Sequence, residues 1–110
     1  MGTHAYVHEA EIVLGDGTEP AAVGAAVTVA LCGHWEHEGP CRWPHHNHID
    51  GARFRTVFIS TTQDEPEVRR RIRAALYGRV EWRVDSDRAR DVADHERELA
   101  ARLAEAPRRV

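Results

Sequence analysis

Residues 45–60 read HHNHIDGARFRTVFIS, and this stretch decides the fold. The pair Asp50-Gly51 is typical of a two-residue turn between antiparallel strands, because a type I′ turn requires positive φ at both central positions. The sequence therefore predicts a β-hairpin that joins a short strand over 45–49 to a longer strand over 52–60. The first of these strands carries three of the chain's eight histidines.

The elements on both sides of the hairpin follow from periodicity and capping signals. Apolar and polar residues alternate over 4–14, which is the period of a half-buried strand. Two helices are delimited by turn residues, by helix caps and by prolines in their first turns. A second stretch of alternating residues and a charged stretch follow them and complete the chain. The predicted elements are a strand at 4–14, a helix at 19–31, the hairpin, a helix that is capped within 61–64 and ends at Gly78, a strand at 80–85, and a helix at 87–105.

This order of elements predicts an α+β fold of the ferredoxin-like, split βαβ type (βαββαβ). It contains a four-stranded antiparallel sheet with two helices on one face, plus an additional C-terminal helix. In that topology the strands lie in the order fourth, first, third, second, so the strand with the histidines is at an edge. The open face of the sheet is then covered by the C-terminal helix or by a partner, and we expect a homodimer.

Length, charge and hydropathy restrict the class of protein. The 110 residues predict a single domain over 1–110, with a frayed tail at 106–110. No apolar run reaches the length of a membrane span, and the formal net charge of −3 argues against a dedicated nucleic-acid binder. No secretory leader opens the chain, so we predict a cytoplasmic protein whose two cysteines are reduced.

Residues 32–48 form a Cys/His-rich segment that consists of a loop and the edge strand. Thiolate and imidazole are the preferred ligands of zinc, usually four at a structural site and three plus water at a catalytic site. A Gly-Pro turn in the loop can fold it back, and histidines two apart on a strand leave the same face. The sequence therefore predicts a transition-metal site, with zinc as the metal, formed from Cys32, His34, Cys41, His46 and His48.

The role of this metal and the state of the cysteines stay open at the level of sequence. The metal is structural, or it is sensed or delivered. Cys32 at the end of an apolar helix is as compatible with a small core residue as with a ligand. A Cys32–Cys41 disulfide is expected only in an oxidised sample, and the histidines are also compatible with a solvated edge.

Two further hypotheses belong to other classes of function. The first is a dimeric, ferredoxin-like enzyme with a small-molecule pocket lined by His8, Tyr6, Trp43 and Trp82. A histidine such as His8 or His46 would act as acid or base, because imidazole titrates near physiological pH. The second is a protein–protein adaptor that uses the charged C-terminal helix and carries no chemistry.

The stretch 45–51, followed by a strand and a helix, resembles the ββα-metal core of HNH-type nucleases. The resemblance implies His46 as the base that activates water and His48 as a ligand of a divalent ion. The helix that follows has no His or Asn, which departs from that family's pattern. Cys41 with His46-x-His48 is similar to the zinc ligands of tetrahydropterin-synthase-like enzymes, although a helix at 19–31 does not match their initial β-hairpin.

Overall fold

Four antiparallel strands and three α-helices make up the fold in a computed structural model, which describes residues 2–32 and 42–105. In chain order the elements are β1 (His4–Leu14), α1 (Ala21–Cys32), β2 (His45–Asp50), β3 (Arg53–Ser60), α2 (Glu65–Tyr77), β4 (Trp82–Arg90), a 3-10 turn (Asp94–Glu96) and α3 (Arg97–Ala104). The strands lie in the order β2-β3-β1-β4, and each neighbouring pair is antiparallel. The predicted α+β fold with a four-stranded antiparallel sheet is confirmed. Within the described residues, no helix is both long enough and apolar enough to cross a membrane.

The hairpin forms where the sequence predicts it, but with a different turn. Asp50 pairs with Arg53, so Gly51 and Ala52 are the two central residues. Gly51 has a φ of 60°, and no non-glycine residue in the described chain has a positive φ. The predicted type I′ turn centred on Asp50-Gly51 is therefore wrong, because it requires positive φ at both positions. Glycine at the first central position alone is the pattern of a type II′ turn.

We expect Gly51→Ala to lower the free energy of unfolding by about 1–2 kcal/mol, because a side chain at positive φ brings Cβ too close to the backbone. Gly2→Ala is the control, since Gly2 precedes the first strand and an added Cβ there has no atom within 4 Å. Urea unfolding of the wild type and both variants measures the difference. Equal stability of the two variants would show that this turn does not require glycine.

The main core lies between the sheet and the helices α1 and α2. Strands supply every second side chain to this face, and the helices supply residues at intervals of three and four. Trp43 and Trp82 belong to this core, and the indole N–H of Trp82 donates to the carbonyl of Leu76. Its most deeply buried members include Ile12, Val23, Val27, Phe54, Phe58, Val68, Ile72 and Leu76.

Strand β4 continues to Arg90, so the predicted helix at 87–105 is wrong over its first part. Residues 87–90 pair with β1. Their charges are matched across the sheet, because Glu9 on β1 forms ion pairs with Arg88 and Arg90. The chain then turns, and helix α3 is correspondingly short.

Helix α3 covers part of the sheet face opposite α1 and α2. Ala100 packs against Val7 and Val57, with Leu99 and Leu103 beside them. The C-terminal helix therefore takes the place that a partner would otherwise fill on this part of the face. The expectation of a homodimer through the open sheet loses this part of its basis.

A buried carboxylate fixes the start of α3 on the sheet. Glu96 is 1% exposed, and its oxygens accept hydrogen bonds from Arg90 Nη1 at 2.7 Å and Nη2 at 3.0 Å. Arg55 Nε lies 3.1 Å from Oε2, and the amide of Ala93 donates to Oε1 at 3.0 Å. The hydrogen bonds from Arg90 lower the pKa of Glu96 to about 2. Glu96 therefore stays charged and links β3 and β4 to the beginning of α3.

Candidate functional site

The Cys/His-rich segment enters the described structure at the seam between α1 and the edge strand β2. Gly24, Thr28 and Cys32 are spaced by four along α1, so they lie on one face of the helix. From β2, His45 and Asn47 reach across to this face. The seam is thus a polar strip beside the apolar core.

His45 is 8% exposed, and both of its ring nitrogens have partners. Nε2 lies 3.1 Å from Thr28 Oγ1, and Nδ1 lies 3.0 Å from the carbonyl oxygen of Trp43. A carbonyl only accepts, so Nδ1 donates, and in the neutral ring Nε2 accepts from the Thr28 hydroxyl. The sequence prediction missed His45 as a site residue, although it directly precedes the two histidines that were chosen.

Asn47 holds α1 close to β2. Its Nδ2 donates to the carbonyl of Gly24 at 3.0 Å and to Thr28 Oγ1 at 3.1 Å. A Cβ on Gly24 would lie 3.2 Å from the Cβ of Asn47, so the absence of a side chain permits this approach. Asn47 Oδ1 is buried and has no hydrogen-bond partner in the part of the chain that the structure describes.

Cys32, the last residue of α1, places its sulfur beside His45. Cys32 Sγ lies 3.9 Å from His45 Nδ1, and Cys32 is disulfide-bonded. The expectation of a reduced Cys32 is therefore wrong for this structure, because a sulfur in a disulfide is not available as a thiolate ligand. The chain has one other cysteine, Cys41, and both Cys41 and His34 lie outside the described residues.

The two strand histidines predicted as ligands point away from Cys32. His46 and His48 are exposed, and strand alternation places them on the face opposite His45 and α1. Partial burial lowers the pKa of His46, and nearby Arg55, His48 and Arg102 lower it further. The guanidinium groups of Arg55 and Arg102 also oppose binding of a metal ion at this face. Among the described residues, no three His, Cys, Asp or Glu side chains form a group that could hold a metal.

The four residues predicted to line a ligand pocket are packed into the protein. Trp43 and Trp82 lie in the main core, and Tyr6 packs against it with its hydroxyl 3.3 Å from Thr62 Oγ1. His8 lies in a separate polar network. Cavities of about 510, 300 and 280 Å³ open between described elements, and other residues line all three.

His8 is the centre of a buried polar network beneath α2. It is 3% exposed, its Nε2 donates to Asp87 Oδ2 at 2.7 Å, and its Nδ1 accepts from Arg69 Nη1 at 3.0 Å. Arginine only donates, which fixes this tautomer. Burial lowers the pKa of His8; the hydrogen bond to Asp87 opposes this effect and Arg69 adds to it. Both ring nitrogens of His8 therefore have partners within the protein.

Asp87 completes this network on β4. The Tyr77 hydroxyl donates to Oδ1 at 2.6 Å, and Arg73 Nε lies 3.0 Å from Oδ2. Arg69, Arg73 and Tyr77 are spaced by four on α2, so they form one row on the helix. This row of polar residues, which lies beside the apolar stripe of α2, is visible in the sequence. Its partner on the sheet was not predicted, because Asp87 was expected to lie in the C-terminal helix.

The α1–β2 seam around His45 and the network around His8 are thus polar centres on the sheet face that carries α1 and α2. No protein-family model, curated protein or solved structure matches the chain. Its function therefore has to be inferred from the chemistry of its own residues.

Proposed function

We propose that the chain is a small metal-binding α+β domain whose donors suit zinc, with a structural role or a role in sensing or delivering the metal. The observation that supports this is the pair of donors at the end of α1, Cys32 Sγ and His45 Nδ1, 3.9 Å apart. Two ligands of one tetrahedral zinc ion lie roughly 3.5 Å apart, given bond lengths of about 2.0–2.3 Å. The adjoining sequence contributes Cys41 and His34 as further donors.

Metal binding requires the thiolate form of Cys32. A dithiol reductant would transfer two electrons to the disulfide, release two thiols from the chain and itself become a disulfide. A cytoplasmic location, which we include in the proposal, supplies such reductants. Each thiol then loses its proton when it binds the metal.

His45 would ligate through Nδ1 after its proton moves to Nε2. Nδ1 then leaves the Trp43 carbonyl, and Nε2–H donates to Thr28 Oγ1, which becomes the acceptor. A hydrogen bond on the nitrogen that does not bind the metal is the usual support of a ligating histidine. Asn47, which donates to the same hydroxyl, would keep Thr28 in place.

We include the ferredoxin-like assignment in the same proposal. Read from β4, the strand order is fourth, first, third, second, and α1 and α2 contribute to one core with the sheet. Both features support that topology. The seam between α1 and β2 then lies at the edge of the sheet, because β2 is the last strand in the order.

Zinc stoichiometry of reduced and oxidised protein tests the proposed function. We expect the dithiol-reduced wild type to retain about one zinc per chain after gel filtration and the oxidised protein to retain none. Cys32→Ser and His45→Ala should each weaken binding at least about tenfold. Affinity should also fall as the pH falls through the histidine range, because protons then compete for the ligands.

His48→Ala is the matched control, since His48 is an exposed histidine on the opposite face of β2. It should leave zinc binding unchanged. Absence of zinc from the reduced wild type, or full binding by Cys32→Ser, would overturn the proposal. Loss of binding in His46→Ala and His48→Ala with full binding in His45→Ala would move the site to the outer face.

A further inference from the structure

The outer side of α1 is apolar, and within the described structure it faces solvent. The helix contains no charged residue. Val23, Val27 and Leu31 bury its inner side, whereas Val29 on the outer side is 46% exposed. A helix that is apolar all round is normally covered all round. The outer side of α1 is therefore suited to contact with another molecule.

This surface is one wall of a groove of about 510 Å³ between α1 and α2. Small side chains allow another helix to approach closely, because the distance between packed helices depends on the side chains at their contact. The small residues that line the groove are Ala22, Ala25, Ala26 and Ala30 on α1, Ala74 and Ala75 on α2, and Gly78 directly after α2.

Each end of the groove carries charges of both signs. Arg70 and Arg71 share Glu67 near one end, and Arg79 pairs with Glu81 near the other. A partner whose contacting surface carried charges of only one sign would meet a like charge at both ends of the groove, which is unfavourable. A second copy of the chain can be related to the first by a twofold axis that lies in the interface, perpendicular to the helices. The Glu67 end of one groove then lies against the Glu81 end of the other. In that arrangement Arg79 would face Glu67 of the second copy, and Arg70 would face its Glu81.

We propose that the α1–α2 face is the interface of a homodimer, with α1 antiparallel to α1 of the second copy. Two adjacent helices of this length form a face of about 18 by 20 Å, or roughly 360 Å² per chain. The total of roughly 700 Å² is below the size of standard interfaces, so the dimer should be weak and should dissociate on dilution. This interface is not the sheet face favoured by the sequence, and it is independent of zinc because Cys32 and His45 do not line the groove.

Sedimentation velocity of the metal-free, full-length chain over a wide concentration range tests the interface. We expect a monomer–dimer equilibrium in the wild type. Val29→Glu puts a carboxylate into the apolar contact and should raise the dissociation constant at least about tenfold. Val13→Glu is the matched control, because Val13 is a similarly exposed valine, at 41%, on β1. It should leave the dissociation constant unchanged.

A charge exchange tests the orientation of the two copies. Glu67→Arg and Arg79→Glu should each weaken the dimer, because each creates a like-charge pair across the interface. The double variant should recover most of the lost affinity. A role within one chain would not give this rescue, since Glu67 pairs with Arg70 and Arg71 and Arg79 pairs with Glu81.

Two results would overturn the proposal. One is a wild type that sediments as a monomer at every concentration. The other is a dimer that Val13→Glu dissociates and Val29→Glu does not, which would place the interface on the sheet face. Circular dichroism confirms that each variant is folded, and Ala25→Glu provides the same test in the groove if Val29→Glu fails to fold.

Discussion

Glu96→Ala should lower the free energy of unfolding by about 3–5 kcal/mol, because it breaks a buried ion pair by removing one partner. The Glu96 side chain is fully buried and contacts Arg90 and Arg55, which are themselves only 23% and 20% exposed. Without the carboxylate, Arg55 loses this partner while it stays largely desolvated, and Arg90 keeps its ion pair with Glu9 alone. The amide of Ala93 loses its acceptor as well.

Glu98→Ala is the matched control for this change. Glu98 is 89% exposed and its ion pair with Arg102 lies in solvent, so its removal should cost less than about 1 kcal/mol. Urea unfolding measures both losses, and hydrogen exchange of the α3 amides shows whether the helix has left the sheet. Equal losses in the two variants would contradict the anchoring role of Glu96.

The same carboxylate should contribute to unfolding in acid. The pKa of Glu96 is lowered from 4.5 to about 2 by its hydrogen bonds with Arg90. A lowered folded-state pKa means that the contribution is complete above pH 4.5 and is lost as the pH falls towards 2. Glu96→Gln cannot titrate, so its unfolding free energy should depend less on pH in this window.

Local patterns in the sequence predict most of the elements. Strand β1 spans the predicted residues, the hairpin joins β2 to β3, and α2 lies between Asp64 and Gly78 as its caps indicate. Alternation, capping and turn formation all depend on residues that are close in sequence. The same local signals predict which side chains share one face of a strand or helix. They do not predict which other element that face packs against.

The end of β4 depends on distant partners and could not be predicted in this way. Residues 87–90 read DRAR, and charged residues without apolar alternation do not favour a strand. They are paired because Glu9 meets Arg88 and Arg90, and because His8 meets Asp87. The burial of Glu96 has a similar origin, since its cations come from other elements.

The predicted metal ligands separate for a geometric reason. Residues two apart on a strand share a face, which is correct for His46 and His48, but the pairing of the whole sheet decides which face that is. The side chain that meets α1 is His45 instead. Two cysteines near a turn are also compatible with a shared metal and with a disulfide, so the sequence pattern alone could not determine the state of Cys32.

Asp87→Ala should cost about 2–3 kcal/mol of unfolding free energy, because it leaves the Nε2–H of the buried His8 without an acceptor. The Tyr77 hydroxyl and Arg73 Nε lose the same partner, but they lie on half-exposed side chains that water can reach, whereas His8 is 3% exposed. Asp85→Ala is the matched control on the same strand, since the Asp85–Arg83 pair is exposed and should contribute less than about 1 kcal/mol. Similar losses in both variants would contradict the structural importance of the network.

The network should also make the wild type less stable as the pH falls below 6.5. The folded-state pKa of His8 lies below its ordinary value of 6.5, chiefly because of burial, so the unfolded chain takes up the proton more readily. The stabilisation is therefore complete above pH 6.5 and decreases below it, because a protonated Nδ1 would set a donor against Arg69 Nη1 at 3.0 Å. His8→Gln retains a donor for Asp87 and does not titrate, so chemical unfolding at a series of pH values should show a smaller slope below 6.5. An unchanged slope in this variant would assign the pH dependence to other histidines.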